Sequence, residues 1–236
     1  MIKLALVGKD IQHSRSGEIY RRLLKTDIQY DLLDYENSAL IPSAADLFKV
    51  YDGISITSPY KKHFLNQVQL TAQASSLGAI NCLRKEAQGF TGENTDYLAI
   101  VEILHKLKVK YLDLSVILLG DGVMSKVAQV ALEQLGIEYK IFSRKITEDL
   151  NRLNLTAHFA QAFKAPKQKL VLNSCAREFV FSGLIDQQTI FWDFNYNFIP
   201  HSSTLATKCQ SYIDGIEMLE LQAAYALSFW SITPSI

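Results

Sequence analysis

Cysteine is scarce in this sequence. Cys82, Cys175 and Cys209 are the only three among 236 residues. Their number is odd, their spacing is wide and no pair has CxxC spacing. That pattern argues against a disulfide framework or a zinc site, and for free thiols in a reducing compartment. Neither sign of charge is in excess, since 24 Lys+Arg balance 24 Asp+Glu. A nucleic-acid backbone or an anionic membrane is therefore not expected as the main partner, although a small local anion site is compatible with the balance. No apolar run approaches the length of a membrane span. The opening Met1–Val7 run is too short for a signal peptide and reads as a buried strand, so a cytoplasmic protein is expected. Internal repeats, low-complexity tracts and disordered linkers are also missing.

What is present is an alternation of strand-like and helix-like patterns. Strands are expected at Lys3–Val7, Tyr30–Tyr35 and Gly53–Thr57, with helices at Glu18–Leu24 and at Ser43–Lys49, the latter with Pro42 in its first turn. A further helix is expected from Pro59 through Phe64, which would place Lys61 beside the positive end of a helix dipole. Asn81–Lys85 and Gly89–Gly92 read as a hairpin around Glu86-Ala87-Gln88. An amphipathic helix from Thr95 to about Lys108 is long enough to carry the chain between domains. The pattern then restarts as a βαβ unit, with Ser115–Leu119 as strand, Ser125–Leu135 as helix and Glu138–Phe142 as strand. Leu170–Leu172 and Thr189–Phe194 follow as strands, and Ile216–Ile232 as one long apolar helix. Alternation of this kind implies an α/β fold with mostly parallel sheets.

Leu119-Gly120-Asp121-Gly122-Val123-Met124-Ser125 lies between a strand and a helix. Glycines there allow a tight turn and close approach to a pyrophosphate, and the helix N-terminus supplies N–H groups and a favourable dipole. A βα turn without a ligand is the plainer alternative. The next strand ends in Ser143-Arg144-Lys145. A carboxylate at that position would accept from the ribose 2′-OH of NAD. Two cations stand there instead, which favours the 2′-phosphate of NADP, with Arg144 the better candidate because a guanidinium grips phosphate bidentately. Asp121 brings a negative charge into the presumed phosphate loop, and its side chain is expected to turn away from the pyrophosphate.

Four polar segments in the first half are not explained by core packing: His13-Ser14-Arg15-Ser16, Ser55–Lys61, Gly78–Asn81 and Gly92–Asp96. On residue type alone, Asp96 could cap a helix, Lys61 could be a surface lysine beside Lys62, and Ser14 and Ser16 could be ordinary loop serines. Taken in order with the glycine loop, Ser143–Lys145, Asp193-Phe194-Asn195-Tyr196 and the Gly215–Ala223 stretch containing Met218-Leu219 and Gln222, the segments resemble the shikimate dehydrogenase family across the whole chain.

That resemblance implies an N-terminal α/β substrate domain over residues 1–96, completed by a C-terminal helix at 213–236. It implies a Rossmann-type NADP-binding domain over 97–212, with the ligand cleft between the two. The implied reaction is the reversible NADPH-dependent reduction of 3-dehydroshikimate to shikimate, in aromatic amino-acid biosynthesis. Lys61 and Asp96 would be the catalytic pair. Ser14 and Ser16 would hold the substrate carboxylate, Thr57, Asn81, Asp96 and Gln222 its hydroxyls, and Tyr196 would close over it. Gly120, Gly122, Val123, Met124, Ser125, Ser143, Arg144, Lys145, Asn173, Gly215 and Met218 would line the cofactor site. No metal is implied. The chemistry suits the residues, because hydride addition to a ketone builds negative charge on oxygen that an ammonium can stabilise and protonate.

The sequence departs from the family pattern in several places. Gly17 replaces a proline, Ser55 an asparagine and Val123 a glycine, while Ser143 and Lys145 differ from the usual flanks of Arg144. Pro200 falls two residues late, and the chain is short. Valine at 123 would impair the loop if a positive φ were required there. Two alternatives stay open: a paralogue acting on quinate or another hydroxylated cyclic acid, and a non-catalytic homologue that has lost its cofactor. The expected partners are a small molecule and at most a second copy, giving a monomer or homodimer.

Overall fold

The computed structural model describes residues 1–164 and 167–233. In chain order the elements are β1 (Lys3–Gly8), α1 (Ser16–Leu24), β2 (Gln29–Asp34), α2 (Ala44–Leu47), β3 (Gly53–Ile56), β4 (Gln69–Leu70), α3 (Ala72–Leu77), β5 (Cys82–Glu86), β6 (Gly89–Glu93), α4 (Thr95–Lys110), β7 (Leu114–Leu119), α5 (Val123–Gln134), β8 (Glu138–Phe142), α6 (Leu155–Ala162), β9 (Gln168–Asn173), β10 (Thr189–Asp193), α7 (Ile199–Leu205), β11 (Ser211–Ile213) and α8 (Ile216–Phe229). The chain divides into two compact units, Met1–Ala99 with Leu219–Ile236, and Ile100–Met218. Both divisions fall inside helices, α4 and α8, so each helix supplies residues to both units.

The first unit holds a six-stranded sheet in the order β2-β1-β3-β5-β6-β4. β1 runs parallel to β2 and β3, whereas β5 is antiparallel to both β3 and β6. The carboxyl ends of β1, β3 and β6 and the start of β5 therefore share one end of the sheet. One face carries Ile54, Ile56, Phe64 and Leu83. The other packs Leu4, Tyr20, Leu24 and Cys82 with Ala223, Leu227 and Trp230 of the C-terminal segment. Trp230 fixes that packing in two ways. Its indole donates to the Leu83 carbonyl at 2.7 Å, and its ring lies where a Cβ on Gly53 would sit, 2.5 Å away. Gly17 has a similar reason, because a Cβ there would meet the Tyr30 ring at 2.8 Å.

The second unit is a five-stranded, wholly parallel sheet in the order β11-β10-β9-β7-β8. β7, Leu114–Leu119, is buried at every position, as a continuous aliphatic run between two parallel neighbours should be. β8 forms the sheet edge and is only half-buried. All five strands point their carboxyl ends the same way, the side on which such sheets bind ligands.

Two expectations are corrected. Residues 59–64 form no helix. Tyr60, His63, Leu65 and Gln67 each donate to the carbonyl three residues earlier, giving successive turns. The Lys61 carbonyl accepts instead from Ile80 N–H at 2.9 Å, so it is not available to continue a helix. Lys61 therefore stands at no helix start of its own. Pro42 stands outside α2, because Ser43 is the N-cap and accepts from Asp46 N–H.

Candidate active site

Lys61 and Asp96 meet at the shared end of the first sheet, with Lys61 Nζ 2.6 Å from Asp96 Oδ2 and both residues buried. The turns after β3 deliver the lysine and the start of α4 delivers the aspartate. Asp96 does not cap that helix. Asn94 does, accepting from Tyr97 N–H at 3.1 Å while its amide donates to the Ala79 carbonyl. The Asp96 carboxylate is thus left to the lysine. An ion pair this far from water holds only when each charge has its partner, since losing one leaves the other buried and uncompensated.

A polar network adjoins the pair. Asn81 accepts from Thr95 N–H at 2.7 Å, and its amide faces Thr95 Oγ1 at 3.0 Å and Gln222 Oε1 at 3.4 Å. Gln222 is itself fixed by donating to the Leu219 carbonyl. On the β1 side, Ser14 Oγ donates to Ser16 Oγ at 3.2 Å, and Ser16 opens α1. Half-buried Thr57 follows β3 and donates its N–H to the Val7 carbonyl. Ser14, Ser16, Thr57, Lys61, Asn81, Asp96 and Gln222 therefore all belong to the first unit. Sequence reasoning missed the role of Thr95, which ties Asn81 to Gln222. It also missed the buried contact of Tyr20 OH with Ser55 Oγ at 3.2 Å. Nothing in residue type alone pairs those two positions.

In the second unit the glycine loop sits at the carboxyl end of β7. Gly120 has φ +109°, a conformation that favours glycine, and a Cβ there would lie 2.7 Å from Ser174 Oγ. Val123 is the first residue of α5, and its φ is not positive. The objection to valine at that position falls away. Gly122 is the N-cap of α5 and makes no side-chain cap, and a Cβ there would meet nothing. The helix start therefore faces open space. Ser125 turns inward, donating to the Gly120 carbonyl at 2.8 Å. Gly120 N–H donates to the Phe142 carbonyl, which ties the loop to the end of β8.

Ser143, Arg144 and Lys145 follow β8. Ser143 is buried and Arg144 and Lys145 are exposed. Lys145 Nζ lies 2.8 Å from Asp121 Oδ2. That is where the Asp121 side chain goes, and the nearby Lys145 and Arg144 charges hold its carboxyl below the usual range. Asn173 is fully buried. Its amide donates to Asp193, and its Oδ1 accepts from Cys175 N–H. Asp193 also receives Asn195 N–H, the Asn195 amide, Tyr212 OH at 3.2 Å and His201 Nδ1 at 2.5 Å. His201 Nε2 accepts from Phe181 N–H, which leaves the ring proton on Nδ1. This hub fixes the turn that carries half-buried Tyr196, whose carbonyl accepts from Arg177. The sequence reading overlooked His201, which had only a lone buried histidine as its signal. Gly215 approaches the Phe194 carbonyl so closely that a Cβ would lie 2.2 Å from it, and Met218 is buried.

Comparison with known proteins finds relatives along nearly the whole chain. Residues 6–83 match the family described as the shikimate dehydrogenase substrate binding domain. The chain is 29% identical to shikimate dehydrogenase (NADP(+)) of Buchnera aphidicola subsp. Schizaphis graminum, over 98% of this chain and 93% of that protein. The chain thus resembles shikimate dehydrogenases along nearly its whole length, and its first unit resembles their substrate binding domain. It is also 25% identical to the enzyme of the same name from Saccharolobus solfataricus, over 95% of this chain and 87% of the relative. Among solved structures, shikimate dehydrogenase 1 from Peptoclostridium difficile superposes with a TM-score of 0.72 at 23% identity, covering 100% of this chain and 94% of that one. The Thermus thermophilus enzyme, crystallised with NADP(H) and shikimate, gives 0.70 at 21% identity, covering 100% and 95%. At that identity the structures speak for the fold alone, two α/β units of which the second is Rossmann-like. No helix among the described residues is long and apolar enough to cross a membrane.

Proposed function

We propose that this protein is an NADP-dependent oxidoreductase that interconverts 3-dehydroshikimate and shikimate in aromatic amino-acid biosynthesis. The observation that carries the reading is the buried Lys61–Asp96 pair, 2.6 Å apart, beside the Asn81–Thr95–Gln222 network. Residues 1–96 with 213–236 are assigned to substrate, and 97–212 to the cofactor. Relatives named for NADP(+) and shikimate over nearly their whole length support the assignment.

The second unit's residues fit a dinucleotide. Gly120 gives the tight turn, Gly122 opens the start of α5, and Arg144 stands after the neighbouring strand. Gly120, Gly122, Val123, Met124 and Ser125 would hold the pyrophosphate, and Ser143, Arg144 and Lys145 the 2′-phosphate. Asn173, Gly215 and Met218 would complete the nicotinamide side. When bound, the cofactor supplies or takes up the hydride. In reduction, the Lys61 ammonium stabilises the developing oxyanion and gives it the proton, and Asp96 holds the lysine in place. In oxidation the same nitrogen takes the hydroxyl proton. Ser14 and Ser16 bind the substrate carboxylate. Thr57, Asn81, Asp96 and Gln222 bind hydroxyls, and Tyr196 is assigned to substrate binding. The protein is placed in the cytoplasm, as a monomer or homodimer.

The test is a comparison of kcat/KM on shikimate and on quinate, each with NADP and with NAD. The highest value is expected for shikimate with NADP. Equal or higher efficiency on quinate would transfer the assignment to that substrate, and no turnover with any combination would overturn the enzymatic reading.

A further inference from the structure

The two cations after β8 are not equivalent. Arg144 makes no ion pair or hydrogen bond among the described residues, whereas Lys145 reaches back to the glycine loop and pairs with Asp121 at 2.8 Å. Asp121 lies between the two glycines and is itself exposed. The Phe142 carbonyl holds Gly120 N–H, so the loop and the turn after β8 are tied together. The Asp121 carboxylate therefore stays near both cations, and the Arg144 charge reaches it as well.

We propose that Asp121 determines cofactor specificity: by pairing with Lys145 it withholds one of two cations from a 2′-phosphate, and so narrows the preference for NADP over NAD. The proposal rests on the cofactor reading given above. A 2′-phosphate must draw Lys145 away from Asp121 and tolerate the released carboxylate nearby. NAD has no group there that competes for Lys145, so the pair can stay closed. The pyrophosphate is common to both cofactors. Any repulsion between it and Asp121 cancels in the ratio of the two affinities, which isolates the effect at the 2′ position. The pair is solvent-exposed, with side chains 80% and 42% accessible. Its strength is accordingly modest and screened by salt, which makes it openable.

The experiment is a titration of the purified full chain with NADPH and with NADH, without substrate, read by reduced-nicotinamide fluorescence. The native protein, Asp121→Asn, Lys145→Gln and the double variant are compared. Asp121→Asn should tighten NADPH by roughly 3- to 10-fold more than it tightens NADH, as expected for one screened charge near a phosphate. Lys145→Gln should cost NADPH less than about twofold in the native background but several-fold in the Asp121→Asn background, the non-additivity expected of a coupled pair. An unchanged NADPH-to-NADH ratio in Asp121→Asn, or the same Lys145→Gln penalty in both backgrounds, would overturn the proposal while leaving the cofactor reading intact. Failure of the native protein to bind either dinucleotide would overturn the cofactor reading, and the proposal with it.

Discussion

Lys61 and Asp96 are 35 positions apart, and only the meeting of β3, β5 and β6 at one sheet end brings them together. Their residue types and flanking motifs were legible in the sequence. Their burial was not, and neither was the reason Asp96 is free to pair: the neighbouring Asn94 takes the capping role. The expected helix over 59–64 was misread because Pro59 resembles a first-turn proline. The competing use of the Lys61 carbonyl by Ile80 is a tertiary fact. Replacing the lysine tests its proposed role. Lys61→Ala is expected to lower kcat by about 10²- to 10⁴-fold, the range for a lost proton-transfer group, with a smaller change in KM for shikimate. The same variant leaves Asp96 buried without its cation and should destabilise the fold by about 3 kcal/mol. Steady-state kinetics on protein shown folded by circular dichroism checks the first, and a denaturant titration the second. A kcat near the native value would remove Lys61 from proton transfer.

α4 separates two readings of its first turn. Asn94→Ala removes the cap and strands the Ala79 carbonyl, so it should lower stability by about 1–2 kcal/mol. Asp96→Asn keeps the cap but leaves the buried Lys61 ammonium without its partner, so it should lower stability by about 3 kcal/mol and, unlike Asn94→Ala, also lower kcat. Thermal melts and kinetics on the two variants check this, and equal kinetic losses would mean that Asp96 acts only through the helix. The glycine loop is the other element under test. Gly120→Ala forces a side chain onto φ +109° and against Ser174. It should cost about 1–3 kcal/mol and weaken NADPH binding, measured by a melt and a dinucleotide titration.

β7, α5 and β8 were readable because a continuous aliphatic strand and an amphipathic helix each carry their own period. α3, α6 and α7 were not. They run six to eight residues, too few for intrinsic propensity to outweigh context. β4 and β11 have two and three residues, and they exist only through their partners β6 and β10.

At the scale of the whole molecule, the α/β plan was visible in the strand–helix alternation, whereas sheet order required long-range pairing that no local pattern encodes. One half-buried thiol and two half-buried phenols predict how the fold responds to alkali. Burial pushes the Cys175 thiol up to about 12. Burial with the Asp31 carboxylate pushes Tyr51 up to about 12, and burial with Glu133 does the same for Tyr139. Each pKa is raised in the folded state, so its contribution is complete below the ordinary values of 9.0 for cysteine and 10.0 for tyrosine. That contribution is lost as pH rises from there towards 12. Melting temperatures taken across alkaline pH should fall progressively over this window. A melting temperature that stays level to pH 12 would show that these groups keep their ordinary values in the fold.

The initial rate of NADPH formation is the sharpest test of the proposed oxidation of shikimate with NADP through the Lys61–Asp96 pair. With purified protein, shikimate and NADP, saturable turnover is expected, and Lys61→Ala should reduce it by about 10²-fold or more. Absence of NADPH formation by the folded native chain, with NAD also failing as acceptor, would contradict it.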